Sequence, residues 1–305
     1  MAARRADGTL GPGRVAVFSS AALGRIAAAA IDCAFLMVFA AVVAREVIAG
    51  RNWRNLKVIA IVLALALANV AFHVEDATSG FAEYATRAAL GFIVLLILLI
   101  GGRVTPSFTN NWLARTGARE RPVPFGRPDG AVLAVSGASL ALWVVWPEDV
   151  ATGALALSAG AANVWRLSRW RGLAARRDPL VLVLHAGFFF AAAGFLVAGA
   201  RALWPAAIPS AAGVHIWAVG AVGVMTLAMM TRATLGHSGR ALIASKATQF
   251  AYASVIVALV ARVAMAFMPQ IGLPLLDLAS AAWVLAFAVF LCAYAPLLVR
   301  RGGPG

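Results

Sequence analysis

Four histidines are the side chains of this sequence best suited to bind a metal ion, because imidazole is the commonest metal ligand in proteins. They lie within or beside long apolar segments, where an ionisable group is costly and by default calls for a functional hypothesis. The candidate cofactor and metal ligands are His73, His185, His215 and His237. A histidine near a helix end is also often an interfacial or packing residue, so each candidate has a structural alternative.

Depth along the predicted helices decides which histidines could share one metal ion. His73 and His215 fall near one face of the membrane, whereas His185 and His237 fall near the other. At the helical rise per residue, His185 and His215 differ in depth by about 15 Å, whereas a metal–imidazole bond is only about 2 Å long. We therefore expect an outer pair, His73 and His215, and an inner pair, His185 and His237.

Two further charged residues lie inside apolar segments: Asp32 in the first and Arg262 in the eighth. Charges within a membrane usually pair with one another. We therefore predict an intramembrane charge pair between Asp32 and Arg262. The alternative is that the two line a polar path through the protein.

The composition indicates that lipid takes the place of a protein core. Of the 305 residues, 62% are hydrophobic and 12% are charged, with a mean hydropathy of +0.87. Soluble domains carry about 25% charged residues. The net charge of +14 does not indicate nucleic-acid binding, since no soluble domain is present to carry a basic patch. The expected partner is the lipid bilayer.

The apolar segments predict an all-α fold, a polytopic transmembrane helical bundle with about nine spans. A basic N-terminal tail (1–21) and a short C-terminal tail (301–305) flank one helical domain (22–300), and residues 102–129 are predicted to be the only sizeable loop. The fourth and fifth spans are each near the short limit for crossing a membrane. The nine are predicted near 22–44, 57–75, 83–101, 130–147, 149–167, 179–200, 211–231, 246–268 and 275–298.

Basic residues predict the orientation of the bundle. Nineteen arginines and lysines fall on one side of the predicted helices, whereas the other side carries mostly acidic residues. Lys and Arg are concentrated in cytoplasmic loops. This pattern predicts a multi-pass protein of a bacterial inner membrane with its C-terminus in the cytoplasm. With nine spans, however, the basic N-terminal tail falls on the outer side, against the same rule.

Four polar stretches carry a resemblance to a known family. They read AREVIAGRNWRNLKV (44–58), GGRVTPSFTNNW (101–112), RDPLVLVLHAGF (177–188) and HIWAVGAVGVMTLAMMTRATLGHSGR (215–240). Together they resemble the NnrS family, haem- and copper-containing bacterial membrane proteins linked to nitric oxide metabolism. The resemblance extends from about residue 22 to about residue 300, and His73, four residues after Asn69, also fits it.

The resemblance implies that haem and copper are the cofactors, and that nitric oxide or iron–nitrosyl species are partners. It implies a role in the nitric oxide response or in protection against nitrosative stress. Members of the family typically have about twelve spans, beginning with three that this chain lacks. Three added spans would place the N-terminal tail inside, so we expect a shortened chain whose cofactor complement is incomplete.

Two alternatives to this function remain open. The protein could be a multi-span transporter or permease of a small solute or metal complex, with Asp32 and Arg262 along its path. It could also be a truncated, non-functional remnant. The sequence contains no nucleophile–base pattern and no phosphate-binding glycine loop, so it does not decide whether the protein is an enzyme.

Overall fold

The computed structural model describes residues 24–299, and this part of the chain forms nine long helices without a strand. The predicted tails, 1–21 and 301–305, lie outside the described residues. Three short 3-10 turns (Trp53–Asn55, Gly172–Ala175 and Pro269–Ile271) join helices. The helices are α1 (Arg25–Ala49), α2 (Leu56–Ser79), α3 (Glu83–Arg115), α4 (Arg127–Val145), α5 (Val150–Ser168), α6 (Pro179–Leu203), α7 (Ser210–His237), α8 (Lys246–Phe267) and α9 (Gly272–Val299).

The structure confirms the all-α polytopic fold, with one helix at each predicted span. Eight of these helices are long and apolar enough to cross a membrane, and α5 is the exception. Its Asn163 and Arg166 lower its hydropathy, but both side chains are fully buried. The polar face of α5 therefore packs against protein rather than lipid, as membrane helices with polar residues usually do.

The prediction of a loop over residues 102–129 is wrong in its first half. The α3 helix does not end at residue 101 but continues through a π-helical segment, Ile97–Gly101, and a further α-helical segment, Gly102–Arg115. Pro106 suggested a break because it has no N–H to donate to the carbonyl of Gly102. The helix continues because the Arg166 side chain of α5 supplies a donor for that carbonyl.

The chain divides into two compact units, the first ending at Leu96 and the second beginning at Ile97. In the first unit α1 and α2 pack together, and a turn at Gly80, with φ of +79°, leads into α3. The Glu75 carboxylate accepts hydrogen bonds from the backbone N–H groups of Glu83, Tyr84 and Ala85, at 2.8–2.9 Å. These bonds satisfy donors that a helix N-terminus otherwise leaves free.

The second unit is built around α6, whose buried side chains occupy most of its length. Small residues bring α5 close to it: a Cβ added at Gly160 would lie 2.6 Å from Leu196, and one added at Gly199 would lie 2.8 Å from the Gly153 carbonyl. Close approach of backbones at small residues is typical of membrane helix packing. Asp149 and Asp178 cap α5 and α6 by accepting backbone N–H groups at 2.8 and 2.9 Å.

Candidate functional site

His73 lies beside a carboxylate in the first unit. Asn69 and His73 are four residues apart on α2, so both side chains point from the same helix face. They converge on Asp32 of α1, whose Oδ2 lies 3.0 Å from His73 Nε2 and accepts a hydrogen bond from Asn69 Nδ2 at 2.9 Å. The side chains of His73 and Asp32 are 23% and 28% exposed, so the pair is partly shielded.

This arrangement is one that metal-bound histidines commonly have. A metal-ligating imidazole usually has its second ring nitrogen bonded to a carboxylate or carbonyl, which orients the ring. Asp32 is hydrogen-bonded to Nε2 of His73, so Nδ1 is the ring nitrogen that remains available to bind a metal. The Oδ1 atom of Asn69 is also buried without a hydrogen-bond partner in the described chain. A buried orphan acceptor beside an oriented imidazole fits a site that binds a further group.

His185, in the second unit, has a different environment. The Thr109 hydroxyl donates to the Thr105 carbonyl at 2.8 Å, so it must accept its second bond, at 2.9 Å, from His185 Nε2. The ring also lies edge-on to Trp170 and against Gly172, where an added Cβ would meet Nδ1. Ligation through Nε2 would require the Thr109 bond to break. The geometry gives His185 a packing role, and its predicted role as a ligand stays untested.

Replacing Thr109 by Val is expected to destabilise the protein by about 1–3 kcal/mol, because the buried Nε2–H of His185 loses its acceptor. Thermal unfolding of the purified protein in detergent measures the change. Thr109→Ser is the matched control, because it keeps the hydroxyl and should lose less stability. A Thr109→Val variant as stable as the wild type would show that the hydrogen bond to His185 does not stabilise this position.

The remaining candidates, His215, His237 and Arg262, belong to the second unit. His215 is half-buried at the end of the first turns of α7, directly before a π-helical segment, Ile216–Gly223. Arg262 lies in α8, and its Nη1 is 3.8 Å from Met265 Sδ. His237 is exposed at the end of α7.

None of the predicted pairings is settled by these positions. Asp32 and His73 belong to the first unit, whereas Arg262 and His215 belong to the second. The Asp32–Arg262 pair and the outer pair of His73 and His215 therefore stay predictions. The same holds for the inner pair of His185 and His237. Within residues 24–299, no three His, Cys, Asp or Glu side chains lie together as a metal site.

A buried ion pair, Asp129–Arg166, stabilises the second unit at the arginine-rich end of its helices. Arg166 Nε donates to Asp129 Oδ1 at 2.8 Å, and the two side chains are 0% and 2% exposed. A second arginine, Arg169, has its Nη1 3.6 Å from the same oxygen. The Arg166 guanidinium also lies about 5.5 Å from the ring centres of Phe125 and Phe188, within the range of cation–π contacts.

The other two nitrogens of the Arg166 guanidinium, Nη1 and Nη2, face backbone carbonyls in the irregular part of α3. Its Nη1 donates to the Leu98 carbonyl, in the π-helical segment, at 3.1 Å, and its Nη2 approaches the Gly102 carbonyl at 3.5 Å. Gly102 is the residue whose helical partner is removed by Pro106. A Cβ added at Gly102 would meet the guanidinium itself, so a side chain is excluded there. Arg166 thus supplies a donor for the carbonyl that Pro106 frees, and Gly102 leaves space for the guanidinium.

Sequence reasoning missed this cluster. Arg166 is one of the nineteen basic residues that the sequence places on one side of the predicted helices, and Asp129 is not among the predicted site residues. The signal available was the spacing of Gly102 and Pro106, which frees a carbonyl inside an apolar helix. A freed carbonyl within a membrane needs a donor, but the sequence does not say which arginine supplies it.

The helices, the buried ion pair and the histidine–aspartate pair define a class: multi-pass helical membrane proteins with polar sites inside the bundle. A family model described as NnrS protein matches residues 9–301. The chain therefore belongs to the NnrS family, which confirms the resemblance predicted from the four polar stretches and links the protein to nitric oxide. No curated protein and no solved structure matches the chain significantly.

Proposed function

We propose that this protein binds haem and copper in a bacterial inner membrane and protects the cell against nitric oxide. Its C-terminus lies in the cytoplasm in this proposal, because the loops at one end of the helices carry most of the arginines. Family membership supports the link to nitric oxide. The observation that carries the cofactor proposal is the His73 imidazole held by Asp32.

His73 is the residue that we propose as a metal ligand. A single oriented imidazole would suit haem iron, because the porphyrin supplies the other nitrogen ligands and the protein commonly adds one histidine. Bound haem iron or copper would supply the centre to which nitric oxide coordinates. Asp32 accepts the Nε2–H of His73, which fixes the tautomer and raises the basicity of Nδ1. Asn69 holds the carboxylate in place through its amide N–H.

The test is the spectrum and metal content of the full chain purified in detergent after expression with haem and copper available. The wild-type protein should show a Soret band, bound copper, or both. His73→Ala should lose one of these signals, and Asp32→Asn should weaken the same one by about 10–100-fold, the usual effect of removing such a partner. Asp76→Asn is the matched control, because Asp76 lies on α2 with His73 but forms an exposed ion pair with Arg25.

Each outcome of this experiment decides a separate point. A metal-free wild-type protein would overturn the proposed function. A cofactor signal that is unchanged in His73→Ala would keep the function but remove His73 as its ligand. An equal loss in Asp32→Asn and Asp76→Asn would mean that general destabilisation, not ligand orientation, explains the effect. Elution profiles of all variants on size-exclusion chromatography check that each is folded.

A further inference from the structure

A polar cavity of about 590 Å³ opens at the arginine-rich end of the second unit. Its walls come from the end of α3, the start of α6, and the segment that joins α7 to α8. Five polar side chains line it, together with Trp112 and the apolar residues of that segment: Arg115, Thr116, Arg177, Asp178 and Gln249. The volume is within the range of small-molecule sites.

Positive charge is in excess at this cavity. Neither Arg115 nor Arg177 forms an ion pair with another described residue. The single carboxylate, Asp178, is 6% exposed and uses Oδ1 to accept the N–H of Leu180 at the start of α6. Two guanidinium groups therefore share a concave surface with one carboxylate, which leaves one positive charge in excess.

A third arginine adds to this charge from inside the bundle. Arg232 is 5% exposed, and its guanidinium lies over the Phe108 ring at 3.8 Å from the ring centre. Its Nη1 is buried without an acceptor in the described chain. Phe108 lies one turn of α3 before Trp112 of the cavity wall, so Arg232 belongs to the same end of the second unit. A buried guanidinium nitrogen without an acceptor thus adds to the positive charge at this end of the second unit.

We infer that this cavity binds a phosphate group, with Arg115 and Arg177 as its principal ligands. Guanidinium groups match phosphate oxygens with paired N–H donors, and such charge-assisted bonds are stronger than neutral ones. The phosphate belongs either to an anionic phospholipid or to a soluble phosphate compound. Basic pockets at the cytoplasmic ends of membrane helices are known lipid headgroup sites, and Ile243 at the cavity wall is 73% exposed, which suits a neighbouring acyl chain.

The experiment compares two double variants of the full chain in a neutral detergent. Arg115→Gln/Arg177→Gln removes the two cavity arginines. Arg119→Gln/Arg176→Gln removes the same charge from exposed neighbours that do not line the cavity. Native mass spectrometry measures binding of phosphatidylglycerol and of phosphatidylcholine, and calorimetric titration measures binding of inorganic pyrophosphate.

Phosphatidylglycerol that binds the wild type and the control variant, but binds the cavity variant at least tenfold more weakly, assigns the site to a lipid headgroup. The same pattern with pyrophosphate alone assigns it to a soluble phosphate compound. The inference is overturned if neither ligand binds, if phosphatidylcholine binds as well as phosphatidylglycerol, or if both double variants lose the same affinity. Equal melting temperatures without ligand would confirm that both variants fold.

Discussion

Asp129→Asn is expected to lower the free energy of unfolding by about 3–5 kcal/mol, the usual effect of breaking a buried ion pair by removing one partner. The substitution is nearly isosteric, so it changes the charge and little of the packing. Arg166, with 0% of its side chain exposed, would then be a buried cation without a carboxylate. Arg169 lies near the same Asp129 oxygen, so without the carboxylate its positive charge would add to that of Arg166.

Unfolding by denaturant in detergent, followed by circular dichroism, measures the loss. Glu148→Gln is the control, because Glu148 pairs with Arg201 at 2.6 Å but is 64% exposed. An exposed pair contributes at most about 1 kcal/mol. The two carboxylates therefore differ in burial and not in the chemistry of the pair. Equal losses in Asp129→Asn and Glu148→Gln would contradict the structural importance of the buried pair.

The helices of this protein were predictable because the sequence concentrates apolar residues into nine segments of membrane-spanning length. Hydropathy decides eight of these segments, since lipid replaces a protein core, whereas α5 is less apolar. The exception was the first half of the predicted 102–129 loop. A proline, a glycine pair and several polar residues are typical of loops, yet residues 102–115 are helical. Satisfaction of the Gly102 carbonyl by Arg166 is a tertiary effect that periodicity does not contain.

The candidate sites were predictable only in part, for a related reason. The spacing of Asn69 and His73 placed both on one face of α2, but it did not identify the carboxylate opposite them. Asp32 was expected to pair with an arginine, while in the first unit it accepts from Asn69 and His73. His185 was singled out for its depth in an apolar helix, and Thr109 was not. Each missed partner lies on another helix, more than thirty residues away in sequence.

The family-typical stretch 101–112 has a physical explanation in this geometry. The π-helical segment and Pro106 both leave carbonyls of α3 in need of donors, and Arg166 supplies two of them. Asp129 then neutralises that arginine, and Gly102 gives it space. The buried cluster thus explains Gly102 and Pro106 of this stretch.

Gly102→Ala should therefore destabilise the protein by about 1–3 kcal/mol, the usual cost of overpacking a buried site. The added methyl group would meet the Arg166 guanidinium, which its bonds to Asp129 and Leu98 hold in place. Gly137→Ala is the matched control. Gly137 lies in α4 with nothing within 4 Å of an added Cβ, so alanine there should be neutral or stabilising through helix propensity, by up to about 1 kcal/mol.

The double variant Gly102→Ala/Asp129→Asn separates a local clash from a shared network. Residues that act through one side chain show non-additive effects of about 0.5–3 kcal/mol. Both substitutions act on Arg166, so once Asp129 no longer holds the guanidinium, the methyl group should displace it at a lower cost. We expect the double variant to lose less stability than the two single losses combined. Additive losses, measured by the same denaturant unfolding, would show that Gly102 and Asp129 stabilise the bundle independently.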